Sequence, residues 1–335
     1  MEVRFFLEAH VYCTTCKCSS FCSDSITFTS YFCLKKMFTR QRLSVARSSK
    51  KDEFYTLYED VKFELDHYLD QFKDKVIYCP CDTEESAFVK YFLELEAKGL
   101  IKELLYTSLQ NGTNFLSDGA IDGYKHSDII VTNPPFSLFR PFISLLDSLN
   151  KQFIVWSNNN AICYKQVSSM LVKDKIRLGY IANKTCEFEV PEEYGADDPS
   201  SKVYLRNNKH YVKVAAITTF TNLAVNRESN LELTTKYDPS IHFKYDNFDA
   251  INCNKVSIIP YDYDGYIGVP VTYLSKHDPS KFKIVGIFNN FEKLDLDAGR
   301  VTGELVHVGT LKTRGPCVNG LPVYVRLIIQ RIKDN

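Results

Sequence analysis

Up to about Cys186, short apolar runs alternate with stripes of apolar residues at helical spacing. Val61, Leu65, Tyr68 and Phe72 recur on one helix face, after the segment D-E-F-Y-T at 52–56. Val76 to Cys79 predicts a first strand. Thr83 can cap a helix carrying Phe88, Tyr91, Phe92 and Leu95, which Gly99 ends. Leu104 to Thr107 predicts a second strand, and a polar loop through Asn111, Gly112 and Asn114 reaches Ser117-Asp118-Gly119. Ile129 to Val131 is a β-branched run, then a helix follows through Phe142, Leu145, Leu146 and Leu149. Phe153 to Trp156 predicts a strand, Tyr164 to Lys173 a helix and Ile176 to Tyr180 a strand. This alternation predicts an α/β protein with a doubly wound, mostly parallel sheet.

After Cys186 the pattern turns β-rich, as in Val214 to Thr221 and Ile267 to Leu274. Turn signals cluster at Asp238-Pro239, Asp264-Gly265 and Asp278-Pro279. Val214 to Thr221 is placed to complete the main sheet, and residues from about 224 onward predict a smaller β-rich region.

Composition narrows the function classes. The 335 residues carry no net formal charge, so a nucleic-acid surface must be a local patch. No window has the apolar length of a membrane span, and the acidic start is a poor signal peptide, so a cytoplasmic protein is expected. Of 11 cysteines, Cys13, Cys16, Cys18, Cys22 and Cys33 crowd the start, but no second spaced pair follows, and no metal is expected. The others read as thiols of a reduced compartment. Residues 1–36 differ in composition from the rest and are expected to be a disordered, dispensable extension, with Met37 as the functional start. A basic arm, 37–51, carries Arg40, Arg42, Arg47, Lys50 and Lys51 and no acid before Asp52, a pattern suited to lying on phosphates.

The chemistry gathers at Asp128 to Arg140, D-I-I-V-T-N-P-P-F-S-L-F-R. Pro134 and Pro135 forbid helix and ladder after the β-branched strand, so the chain leaves in a stiff extended loop. Ser137 can cap the next helix, with Pro141 in its first turn. Asn133 is therefore expected at the carboxyl end of a strand, where open α/β sheets place ligands. Its side-chain oxygen and the Pro134 carbonyl can each accept a hydrogen bond from an exocyclic amine. Two fixed acceptors favour a pyramidal nitrogen whose lone pair can attack a methyl donor, and Phe136 offers a stacking face for an extruded base.

These residues carry a resemblance. K-D-E-F-Y-T-L-Y-E-D (51–60), V-I-Y-C-P-C-D (76–82) and the Asn-Pro-Pro-Phe stretch resemble the EcoRI-type adenine-specific DNA methyltransferases. So do Y-D-N-F-D-A-I-N-C-N-K (245–255), I-P-Y-D-Y-D-G-Y-I-G-V-P-V-T-Y-L (259–274) and V-Y-V-R-L-I-I-Q (323–330). The resemblance spans roughly residues 45 to 332 and leaves 1–36 unmatched.

The resemblance implies a Rossmann-like methyltransferase fold. It places the catalytic domain at 52–223 and a DNA-recognition region at 224–335. It implies Asn133, Pro134, Pro135 and Phe136 as the catalytic motif. Tyr55, Thr56, Cys79, Pro80, Cys81, Asp82 and Asp118 are implied as contacts of S-adenosyl-L-methionine. Arg206, Lys209, His210 and Lys213 join the basic arm as candidate DNA contacts. The implied partner is double-stranded DNA, methylated at the N6 amine of a flipped adenine by a monomer, without metal or membrane. The setting is restriction-modification or a related DNA-modification system, with or without a cognate endonuclease, and GAATTC is suggested as the site only by resemblance. Two alternatives stay open: an amino methyltransferase of ribosomal RNA guanine or protein glutamine, and a DNA-binding relative without catalysis.

Overall fold

A computed structural model describes residues 54–107, 118–192, 194, 202–227 and 231–333. The basic arm, and with it Arg40, Arg42, Arg47, Lys50 and Lys51, lies outside the described residues.

Among the described residues the main sheet has nine strands. Chain order runs β1 (Tyr55–Thr56), α1 (Tyr58–Leu65), β2 (Val76–Cys79), α2 (Ala87–Ala97), β3 (Glu103–Tyr106), α3 (Asp118–His126), β4 (Ile129–Thr132), α4 (Phe139–Ser148), β5 (Gln152–Asn158) and α5 (Lys165–Val172). β6 (Arg177–Leu178), β7 (Lys184–Val190), β8 (Tyr204–Arg206) and β9 (Lys209–Thr221) follow. The spatial order is β1-β7-β9-β5-β4-β2-β3, with β6 and β8 also paired to β9. β3, β2, β4 and β5 are mutually parallel. β9 runs antiparallel to β5, β7 antiparallel to β9 and β1 antiparallel to β7.

The sheet is thus mixed, not mostly parallel. One of its antiparallel pairs has a local cause: β8 and β9 are joined by Asn207 and Asn208, both at positive φ, the two-residue turn that matches strand twist. A hairpin so closed must return antiparallel.

β2 and β4 are buried throughout, as their β-branched and aromatic runs require. One face holds α1 and α2: Val61, Leu65, Phe88 and Phe92 pack with Ile77, Val131, Ile154 and Trp156. Alternate residues face the other way, where Tyr78 meets the Tyr124 ring of α3. Gly123 matters there, because a Cβ would come within 2.4 Å of the Tyr78 ring. The α2 cap is Ser86, whose hydroxyl accepts from Val89 N, and not Thr83. Gly99 closes that helix at φ +65.

Beyond the main sheet lie β10 (Ile251–Asn252), β11 (Ile267–Pro270), β12 (Phe282–Phe288) and β13 (Arg300–Val301). Two small hairpins, β14 (Val306–Val308) with β15 (Leu311–Thr313) and β16 (Cys317–Val318) with β17 (Leu321–Pro322), precede β18 (Arg326–Arg331). The second sheet is ordered β10-β11-β18-β12-β13. It is tied to α5 by Ser168 Oγ donating to Ala298 O at 2.6 Å and Ser169 Oγ to Asp297 O at 3.2 Å.

Candidate active site

β2 has β3 on one side and β4 on the other, so chain order reverses there. At such a switch point the connections diverge and leave a crevice beyond the carboxyl ends of the strands. Two loops meet at this end, Cys79–Asp82 after β2 and Asn133–Phe136 after β4. Their meeting is held by Thr132 Oγ1, which donates to Asp82 Oδ2 at 2.8 Å.

Asp82 is buried, and burial pushes its carboxyl up to about 6, only partly offset by bonds from Thr132 and Ser86. Burial also raises the Cys79 and Cys81 thiols, with the Asp82 charge adding to the effect, so neither is a ready thiolate. Pro80 is buried and Cys81 half-buried.

Pro134 is buried and Asn133 half-buried. Pro135 sits at φ −50, ψ 129, and a single 3-10 turn, Phe136–Leu138, leads into α4. Ser137 lies inside this turn; the residue before the helix is Leu138, with no side-chain cap. Pro141 does fall in the first turn of α4.

The decisive detail is the Asn133 amide. Its Nδ2 donates to Phe54 O at 3.2 Å and to Thr56 Oγ1 at 3.1 Å. Its Oδ1 is buried and has no partner. Leaving such an acceptor unpaired costs about 1–3 kcal/mol, a cost that an incoming N–H would remove. Phe136 is half-buried, its ring 5.4 Å from that of Phe54; the Phe54 ring also lies 5.4 Å from Phe188 and 5.7 Å from Tyr194.

Other named residues fall differently. Thr56 is buried in β1 and bonded to Asn133, while Tyr55 is exposed. Asp118 opens α3, but its side chain lies outside the described residues. Arg206, Lys209, His210 and Lys213 sit on the β8–β9 hairpin of the main sheet, not in the second sheet. Arg206 pairs with Glu187 at 2.5 Å and Lys209 with Glu189 at 2.8 Å. Lys213 lies 6.0 Å from the Tyr204 ring centroid. Phe54, Thr132, Glu187 and Glu189 were not singled out by the sequence. Thr132 precedes the motif directly and could have been; the others show their role only through cross-strand pairing.

Sheet and loop define the class: an α/β protein with a buried, unpartnered amide oxygen at the carboxyl end of a parallel strand. Comparison with known proteins narrows it. The family model described as "Adenine-specific methyltransferase EcoRI" matches residues 42–112 and 95–332. The Type II methyltransferase M.EcoRI of Escherichia coli is 35% identical over 302 residues, covering 77% of this chain and 92% of that protein. The Type II methyltransferase M.MgeORF184P of Mycoplasma genitalium is 34% identical and M.MpnI of Mycoplasma pneumoniae 33%, each over 313 residues, 85% of this chain and 97% of the relative. The chain belongs to the family of EcoRI-type adenine-specific methyltransferases.

Proposed function

We propose that this enzyme transfers a methyl group to the exocyclic N6 amine of an adenine extruded from double-stranded DNA, in a restriction-modification setting. The observation that carries the reading is the buried, unpartnered Asn133 Oδ1 beside Phe136. The adenine amine conjugates its lone pair into the ring and is a poor nucleophile. Asn133 Oδ1 and the Pro134 carbonyl accept its two hydrogens and favour the pyramidal form, in which the lone pair is released. Phe136, backed by Phe54, stacks on the base and replaces part of what it loses on leaving the duplex. After transfer the nitrogen is an acidic ammonium, and its proton passes to solvent without a strong base.

The crevice fits S-adenosyl-L-methionine by its chemistry: it lies at the switch point, and the Tyr124 hydroxyl, buried against Tyr78, is a second polar atom without a partner. When bound, that molecule supplies an electrophilic methyl carbon. Cys79, Pro80, Cys81, Asp82, Tyr55 and Asp118 are the residues to hold it. Asp82 does so through the backbone of its loop, since its carboxylate is taken by Thr132. The main sheet with its cofactor crevice is read as Rossmann-like. The second sheet, the β8–β9 hairpin and the basic arm are read as the DNA surface, with Lys213 and His210 less neutralised than Arg206 and Lys209.

Methyl transfer from labelled S-adenosylmethionine to unmethylated duplex DNA, set against ribosomal particles and protein extracts, tests the reading. Label on adenine N6 in DNA supports it; label only on guanine or glutamine would replace it.

A further inference from the structure

We infer that Thr56 is a positioning residue: its hydroxyl holds the Asn133 amide in the direction that the Phe54 carbonyl sets, and this is its contribution to turnover. The inference rests on the reading of Asn133 as the amine acceptor and adds the device that presents it.

An asparagine amide can turn about its last bond, and a turned amide would offer N–H groups to an amine that needs an acceptor. One partner prevents this, and a second holds the result. The Phe54 carbonyl can only accept, so the group facing it must be the NH2. The Thr56 hydroxyl takes the second amide hydrogen at 3.1 Å. With both hydrogens engaged, Oδ1 is left as the outward acceptor and has no other partner.

Both partners come from one three-residue segment, pinned from behind. β1 pairs with β7 through Tyr55↔Glu189 and Thr56↔Phe188. Alternation along the strand puts Thr56 inward, 8% exposed, and Tyr55 outward, 46% exposed. The Phe54 ring lies against Phe136. The segment 54–56 therefore sets both parts of the base site, the acceptor and the stacking face. The Thr56 oxygen accepts from the Asn133 amide and its own proton stays free to donate, so the role the family resemblance implies for this position, a contact to the cofactor carboxylate, is what the affinity measurement tests.

The test uses the full chain and three measurements: turnover on duplex DNA, KM for DNA and cofactor affinity by calorimetry. Thr56→Val keeps size and branching and removes the acceptor. It is expected to lower kcat by roughly tenfold, the size of one lost hydrogen bond with a donor left unmet. Cofactor affinity should stay within about twofold, because the bond that counts is the one to Asn133. Thr56→Ser restores the hydroxyl and should restore kcat. In an Asn133→Ala background Thr56→Val should add no further loss, since the group it aims is gone. Should the valine chain fail to fold, Thr56→Cys, a weak acceptor of similar size, carries the same expectation. Weaker cofactor binding with kcat kept would return Thr56 to the cofactor, and an unchanged kcat would make it a bystander; either overturns the inference. Asn133→Ala alone separates the two levels. Full activity in that variant would sink the reading of the site, whereas an impaired Asn133→Ala beside an unaffected Thr56→Val would sink only the role of Thr56.

Discussion

Two asparagines in this molecule hold their amides in the same way but stand in different parts of the fold. Asn133 gives its NH2 to Phe54 O and Thr56 Oγ1; Asn247 gives its NH2 to Glu304 O at 3.1 Å and Gly315 O at 2.9 Å. Both leave a buried Oδ1 without a partner. Asn247, however, is 5% exposed and joins three loops of the second sheet, with Gly303 packed so close that a Cβ there would meet its backbone oxygen at 2.4 Å. Asn133 is half-buried at the carboxyl end of a parallel strand, next to an aromatic ring. An unpaired acceptor is therefore not a site by itself. Position at the sheet switch point distinguishes Asn133 from Asn247, and the proposed function puts chemistry only at the former.

The contrast breaks most sharply on turnover. Asn133→Ala removes an acceptor that matters most as the amine pyramidalises, so kcat of the folded fraction should fall roughly 100- to 1,000-fold, besides about 1–3 kcal/mol of stability lost with its bonds to Phe54 O and Thr56 Oγ1. Single-turnover methylation alongside urea unfolding checks both halves. Asn247→Ala should cost stability alone. Losing two buried hydrogen bonds and leaving carbonyls unmet should cost about 2–4 kcal/mol of stability, with kcat of the folded fraction kept. If Asn247→Ala lost turnover at full stability, the second asparagine would belong to a site.

Asp82 sharpens the comparison from beneath the Asn133 loop, through Thr132. Its carboxyl is raised from 3.8 to about 6 by burial. The folded chain keeps this proton while the unfolded chain has already released it. Stability should thus fall as pH rises from about 4 to about 6, by roughly 2–3 kcal/mol from this group, and be level above. Asp82→Asn, which cannot ionise, should remove that part of the fall. Unfolding curves across this range that are identical for the two chains would show that Asp82 ionises freely.

The smallest effect concerns whether the main sheet also binds DNA backbone. Lys213→Gln should lower the slope of log affinity against log salt by about one unit, alike on all sequences. Arg206→Gln should do less, because Glu187 already neutralises Arg206. Equal effects would mean that DNA displaces the carboxylate.

Much of the main sheet was legible because its signals are local. β2 was read at its observed bounds, and the apolar stripes of α1 and α2 are the buried ones, Val61, Leu65, Phe88, Tyr91 and Phe92 among them. The cap of α2 was misplaced, Ser86 for Thr83, because serine and threonine cap equally well in sequence, and the residue before α4 is Leu138 and not Ser137 because a 3-10 turn comes first. The antiparallel half of the sheet was missed because a β-rich stretch does not state its direction.

The chain by itself determined the strand-end Asn-Pro-Pro-Phe loop, since two prolines and a β-branched run constrain backbone wherever they occur. It also determined which faces of the helices are buried, through apolar periodicity. Only the tertiary structure decided what the Asn133 amide holds, and so which of its two ends faces outward. Its partners Phe54 and Thr56 stand 79 and 77 positions earlier. Nothing in local spacing links residues so distant; β1 meets the loop because it pairs with β7, a strand that enters the sheet much later. Hydrogen-bond direction is a property of the assembled pair, and no residue carries it alone.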